Sequence, residues 1–221
     1  MKRVGAITIG QTPRDDIAGE LGGVLGAGVQ IVQAGALDGL SRAEIDALAP
    51  PPGDDDALIT HLRDGANVLV AKRRIVPQVQ ACVDRLGDDV DAVAILCAGT
   101  FPPFTSQRPV LVPERCLTAV VEAVFDGRRL GVIVPIKEQH ASSATRWSRI
   151  DPRVVVTVAS PYDEPARLVA AAEELQRAGV SLVVMECQGF TSAMKAVVRD
   201  VTAAPALLPT TVLARFLAEL A

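Results

Sequence analysis

Aromatic side chains are scarce in this chain. Only 3% of its 221 residues are aromatic, with one Trp, one Tyr and five Phe. The core therefore has to be built from Val, Leu, Ile and Ala. Long apolar runs are missing too: none reaches the ~18–20 residues of a membrane span. The opening MKRVGAITIG passes straight into a Gly-punctuated strand pattern, without the apolar stretch of a signal peptide. The net charge is only −4, and no basic stripe with interleaved aromatics is present. These absences point away from membranes and nucleic acid and towards a cytoplasmic protein. There are two histidines (His61 and His140) and four cysteines (Cys82, Cys97, Cys116, Cys187), with no C-x-x-C pair. Neither a tetrahedral metal site nor a disulfide framework is expected from that inventory. The Walker A, G-x-G-x-x-G and nucleophile-elbow patterns are absent as well.

What is present is a series of short Val/Ile/Leu runs punctuated by Gly, Pro and charge. Strands are predicted at 3–9, 29–33, 67–70, 91–96, 109–112, 130–134, 153–158, 181–186 and 206–208. Helical patterns cover 41–48, 74–86, 113–125, 138–147, 163–178, 191–200 and 211–220. Ser41 and Glu44 fit a capping box, Pro113 suits a first helical turn, and Gly179 suits a stop. PPPGDDDA at 50–57 reads as a loop, in the first place a solvated turn, with capping of the N-terminus of ALITHLRDG by its aspartates as the alternative. Cys82 and Cys116 fall in helical patterns and read as small core residues. Strands alternating with helices imply an α/β fold with mainly parallel sheets.

The chain also resembles itself. VGAITIGQTP (4–13) aligns with LGVIVPIKEQ (130–139), and DAVAILCAGTF (91–101) with SLVVMECQGF (181–190). The spacings differ, 126 residues from Gly5 to Gly131 and 90 from Cys97 to Cys187. Two similar α/β lobes with unequal insertions explain both facts. The expected first lobe is 1–108, with 205–221 packing back on it, and the second is 109–204. Ligands of open α/β sheets bind outside the carboxyl ends of strands. Facing lobes would therefore bring Cys97 and Cys187 into one interlobe cleft.

Two thiols on opposite faces of a carbon atom suit stereochemical inversion. One thiolate removes the α-proton and the other thiol delivers a proton to the opposite face. No metal or other cofactor is required. Cys187 precedes the helix pattern SAMKAVVRDV, whose first turn would stabilise a thiolate. Gly99 would let backbone approach a ligand, and Thr100 would offer a hydroxyl. A single essential cysteine would point instead to nucleophilic or one-sided proton chemistry.

TIGQTPRDD (8–16), CAGTF (97–101), LGVIVPIKEQ (130–139) and ECQGF (186–190) together resemble the AroM family, as do SRAEIDALAP (41–50) and AKRRIVPQVQ (71–80). That family is similar in turn to the aspartate/glutamate/hydantoin racemase superfamily. The resemblance implies two α/β lobes, a cleft between them, and Cys97 and Cys187 as the catalytic pair. Cys97-Ala98-Gly99-Thr100 stands where the superfamily usually has Cys-Asn-Thr, and Glu186-Cys187-Gln188 where it has Gly-Cys-Thr.

The candidate substrate-binding residues flank the thiols or follow other strands. Ala98, Gly99, Thr100 and Phe101 lie beside Cys97, and Gln188 and Gly189 beside Cys187. Gln11, Thr12 and Arg14 follow the first strand, where Arg14 would take a carboxylate through two bonds. Arg73 and Arg74, with Lys72, put cations at a predicted helix start, against the dipole, which points to an anionic ligand. Glu138 follows the strand at 130–134. The expected activity is that of a cofactor-independent racemase or epimerase on a small carboxylate or cyclic-amide amino-acid derivative. The alternatives are a single-cysteine isomerase or decarboxylase of a small diacid, and a non-catalytic ligand-binding regulatory module. The expected partner is that small anionic or cyclic-amide substrate, with a homo-oligomer possible.

Overall fold

The computed structural model describes residues 1–220. The first half runs β1 (Lys2–Thr8), α1 (Asp15–Leu25), β2 (Val29–Gly35), α2 (Arg42–Asp46), β3 (Ala57–His61), β4 (Asn67–Ala71), α3 (Lys72–Leu86), β5 (Ala92–Leu96), β6 (Val110–Leu111) and α4 (Pro113–Val124). The second runs β7 (Leu130–Val134), a 3₁₀ turn (Lys137–Gln139), α5 (His140–Trp147), β8 (Val155–Val158), α6 (Pro165–Arg177), β9 (Leu182–Met185), α7 (Ser192–Thr202), β10 (Ala206–Leu207) and α8 (Pro209–Leu220).

The fold is α/β with two parallel four-stranded sheets. One has the order β2-β1-β5-β6 and the other β8-β7-β9-β10. The two orders are the same when each half is read from its own first strand, so β1 corresponds to β7 and β5 to β9. Every residue of β5 and β7 is buried, as strands covered on both faces require. The internal likeness has a packing cause at Gly5 and Gly131. A Cβ on Gly5 would stand 3.2 Å from Leu86 of α3, and one on Gly131 3.1 Å from Leu175 of α6. Each glycine lets the helix that precedes the cysteine strand lie close on the sheet.

Alternate strand residues feed different cores. Val4, Ala6, Ala92 and Ala94 share one cluster with Leu130, Val132, Leu182 and Val184, closed by α1, α4 and α8. Ile7, Val93 and Ile95 pack on the other side with α3. Val183 and Met185 pack with α6 and α7. The α8 side chains Val212, Leu213, Ala214 and Leu217 sit in the cluster that β1 and β5 line.

The halves differ chiefly in one insertion, and α7 between β9 and β10 has no counterpart between β5 and β6. Residues 36–71 separate β2 from α3, whereas residues 159–164 separate β8 from α6. The longer segment holds α2 and an antiparallel β3–β4 hairpin that joins neither large sheet. Here the structure corrects the sequence reading. ALITHLRDG is not a capped helix but a strand and turn, because Leu58 and Thr60 turn inward and β4 supplies its ladder partner. Asp54 and Asp56 pair instead with Arg73 (2.6 Å) and Lys72 (2.5 Å). Helix α1 escaped the sequence reading altogether.

Candidate active site

Cys97 follows β5 directly, and Cys187 lies two residues beyond β9. Strand parity treats them alike: Val93, Ile95 and Cys97 share a face, as do Val183, Met185 and Cys187. The backbone N–H of the glycine two residues on lies where it favours each thiolate, Gly99 for Cys97 and Gly189 for Cys187. Both thiols line one narrow cavity of about 20 Å³. Ile59 and Thr60 of the hairpin and Gln139 and Tyr162 of the second half complete its walls.

Burial pushes the Cys97 thiol up to about 12 and the Cys187 thiol up to about 11. The Gly99 N–H and Lys72 oppose the rise at Cys97, while the charge of Cys187 adds to it. The Gly189 N–H and Arg14 oppose it at Cys187. The sequence reading looked to the following helix to stabilise a Cys187 thiolate. The structure starts α7 only at Ser192, with Thr191 as its cap, and desolvation dominates at the sulfur.

Arg14 is 5% exposed and lines the cavity. Its Nε and Nη2 bond both oxygens of Asp16 (2.9 and 2.7 Å), and Nη2 also reaches the Tyr162 hydroxyl (3.2 Å). Burial works against the Arg14 charge, but the bonds to Asp16 and Tyr162 outweigh it and hold the guanidinium protonated. Glu186 is buried, and its carboxylate accepts from Ser143 (2.5 Å), Trp147 (2.8 Å) and Arg146.

Among the sequence candidates, Arg14, Ala98, Gly99, Gln188 and Gly189 line the cavity with the two cysteines. Thr100 accepts from Lys72 (3.1 Å) and lines an adjoining chamber of about 50 Å³. That chamber shares Ala98, Gly99, Gln139 and Glu186 with the cysteine cavity. Phe101 is buried, 5.9 Å from the Phe104 ring. The remaining candidates lie elsewhere, and all but Glu138 are held by protein partners. Gln11 accepts from the Arg63 backbone (3.0 Å), and the Thr12 hydroxyl donates to Asp38 (2.6 Å). Arg73 is paired with Asp54, and Arg74 donates to the carbonyls of Ala47 and Ala49. These bonds, not a ligand, answer the charge mismatch at the start of α3. Glu138 is carried by the 3₁₀ turn to a groove beside the proline loop.

Gly99 has a different task from the one its motif implied. A Cβ there would stand 2.8 Å from Leu58 of the hairpin, and one on Gly189 2.6 Å from the Tyr162 hydroxyl. Both glycines admit a protein neighbour. Sequence reasoning missed Tyr162 and the hairpin, because neither sits in a motif, and Gln139, because only Glu138 was singled out in the LGVIVPIKEQ stretch that Gln139 ends. The only signal at Tyr162 was its being the sole tyrosine.

No helix among the described residues is long and apolar enough to cross a membrane. No group of three or more His, Cys, Asp or Glu side chains among them is arranged to hold a metal. No curated protein matches the chain. Solved structures do match in fold. Allantoin racemase from Pseudomonas fluorescens superposes with a TM-score of 0.64 at 15% identity, over 98% of this chain and 89% of that one. Arylmalonate decarboxylase gives 0.62 at 13%, over 99% and 92%. Glutamate racemase from Aquifex pyrophilus gives 0.59 at 14%, over 98% and 83%. At such identities the likeness is one of fold. A family model described as AroM protein matches residues 4–221.

Proposed function

Since the chain belongs to the AroM protein family, we propose that it is a cofactor-independent racemase or epimerase acting by 1,1-proton transfer. One observation carries this reading: the thiols at the carboxyl ends of β5 and β9, from different sheets, line a single cavity. The substrate is a small amino-acid derivative bearing a carboxylate or cyclic amide. Its α-carbon sits between Cys97 and Cys187. One sulfur, as thiolate, takes the α-proton and becomes a thiol. The other thiol gives its proton to the opposite face and is left as thiolate. The negative charge thus passes from one sulfur to the other, and the roles reverse for the other enantiomer. The raised thiol pKa values make each thiolate a stronger base than free cysteine, at the cost of a smaller ionised fraction near pH 7. Arg14 stands on the Cys187 side to meet negative charge.

The test is α-proton exchange and racemisation followed by NMR and polarimetry in D₂O. Pools of amino acids, their N-carbamoyl and hydantoin forms, small lactams and 2-substituted diacids serve as substrates. Cys97→Ala and Cys187→Ala should each lower racemisation by about 10²–10⁴-fold, the usual worth of one acid or base. Loss at one cysteine only, with carbon dioxide release or a covalent adduct, would replace this reading with a single-thiol decarboxylase or isomerase. Ligand binding without turnover would make the chain a binding module.

A further inference from the structure

The cysteine cavity has more hydrogen-bond donors than acceptors for them, and the excess falls on groups outside the thiol pair. Gln188 is 4% exposed, and its Nε2 is buried without a partner. Its Oε1 is occupied, accepting the Thr210 hydroxyl at 2.5 Å. With Oε1 on Thr210, Nε2 is the end of the amide left without a partner. Thr210 is fully buried at the start of α8, so the second anchor of this side chain comes from an element distant in sequence. The Tyr162 hydroxyl accepts from Arg14, and among the described residues it donates to nothing. Burial, with the charge of Cys187, pushes this phenol above its ordinary value, so the proton stays on. Arg14 commits Nε and Nη2 to Asp16 and Tyr162, while its Nη1 makes no bond among the described residues. All three residues line the one cavity. The only carboxylate lining it, Glu186, already accepts three bonds from Ser143, Trp147 and Arg146. An unsatisfied buried donor is costly, so this arrangement is completed by a ligand that brings acceptors.

We infer that the Tyr162 hydroxyl and the Gln188 amide, beside Arg14, are the groups that bind the substrate's acidic oxygens, with Thr210 as the positioning residue for Gln188. The inference rests on the proposed function and deepens it. It restricts the substrate to one that presents two oxygens of a carboxylate, or of the enolate it becomes, towards the Cys187 side. An amide nitrogen or ammonium group does not complete this set, because it offers donors where donors already stand.

Malonate, with neutral malonamide as control, tests this by calorimetry without needing the true substrate. Wild type should bind malonate at least tenfold more tightly than malonamide. Tyr162→Phe keeps the ring stacked on His61, 5.2 Å between centroids, and removes only the hydroxyl. It and Gln188→Met should each weaken malonate about tenfold, as loss of a bond to a charged acceptor does. Thr210→Val should match Gln188→Met, and Thr210→Ser should restore affinity, which a merely structural role would not do. The Cys97→Ala/Cys187→Ala double variant should keep malonate affinity. If it does while wild type racemises nothing, the racemase reading falls and this one stands. Equal affinity for malonate and malonamide, or full affinity in Tyr162→Phe and Gln188→Met, would overturn the inference.

Discussion

At the scale of the residue, the two C-x-G loops show how one motif serves two neighbours. Gly99 accommodates Leu58 of the hairpin, and Gly189 accommodates the Tyr162 hydroxyl. Leu58 meets an added methyl with the flexible end of its side chain, so Gly99→Ala should be tolerated at a modest cost. Gly189→Ala meets Pro161 and the rigid Tyr162 ring at 2.9 and 2.6 Å. It should cost about 1–3 kcal/mol by overpacking, measured by urea denaturation, and displace Tyr162. The thiols give a second residue-scale outcome. Alkylation of Cys187 by iodoacetamide, mapped by mass spectrometry, should quicken about tenfold per pH unit up to about 11. Arg14→Met should slow it at every pH below that, because it removes a cation that lowers the Cys187 pKa. A plateau near pH 8.5 in wild type would contradict the buried environment described for this sulfur. The cysteines were legible in sequence because each ends an apolar run and is followed by a glycine two places on. Tyr162 was not, because a loop side chain reaches its site through the fold rather than through a motif.

At the scale of the element, the strands were legible and the insertion was not. Val- and Ile-rich runs such as AVAIL and LGVIV announce buried parallel strands, and the structure has them in place. Helix α1 was hidden by Gly19, Gly22 and Gly23, which dilute the apolar spacing carried by Ile17 and Leu21. The β3 strand was misread because three aspartates ahead of an apolar segment imitate a helix start. Their partners, Lys72 and Arg73, come from beyond β4. The caps hold up better, since they are local. Ser41 and Glu44 form the expected capping box. Thr191 caps α7, its hydroxyl accepting from the Met194 N–H at 3.2 Å. Thr191→Ala should cost about 1 kcal/mol, seen as a lower urea midpoint with an unchanged slope. A change in the slope would mean that more than the helix end is lost.

At the scale of the whole molecule, the four thiols make stability depend on pH. All four have pKa values raised above the reference of 9.0, chiefly by burial. The native state thus holds its protons to higher pH than the unfolded chain does. Stability from this source is complete below about pH 9, where both states are protonated. It declines as pH rises through the interval between 9.0 and the native values of about 11 and 12. Cys187 alone should contribute a slope of about −1.4 kcal/mol per pH unit there. Chemical denaturation at pH 8, 9 and 10 under reducing conditions should show the decline, and Cys187→Ala should make it shallower by the Cys187 share. A pH-independent stability across that range would remove burial as the controlling factor. The doubled strand order was also readable in outline, as paired motifs, while the hairpin that spoils the repeat was not. It is the hairpin that accounts for the unequal spacing of 126 and 90 residues.

The return of α8 carries a consequence for how the molecule comes into being. Its leucines complete the core that β1 and β5 open, yet the ribosome makes α8 after all ten strands. The first sheet therefore emerges with this face covered only by α1 and α4, and waits through the synthesis of the entire second sheet before α8 seals it. A nascent chain stalled before residue 209 should remain bound to chaperones and open to protease, whatever its first hundred residues have already paired.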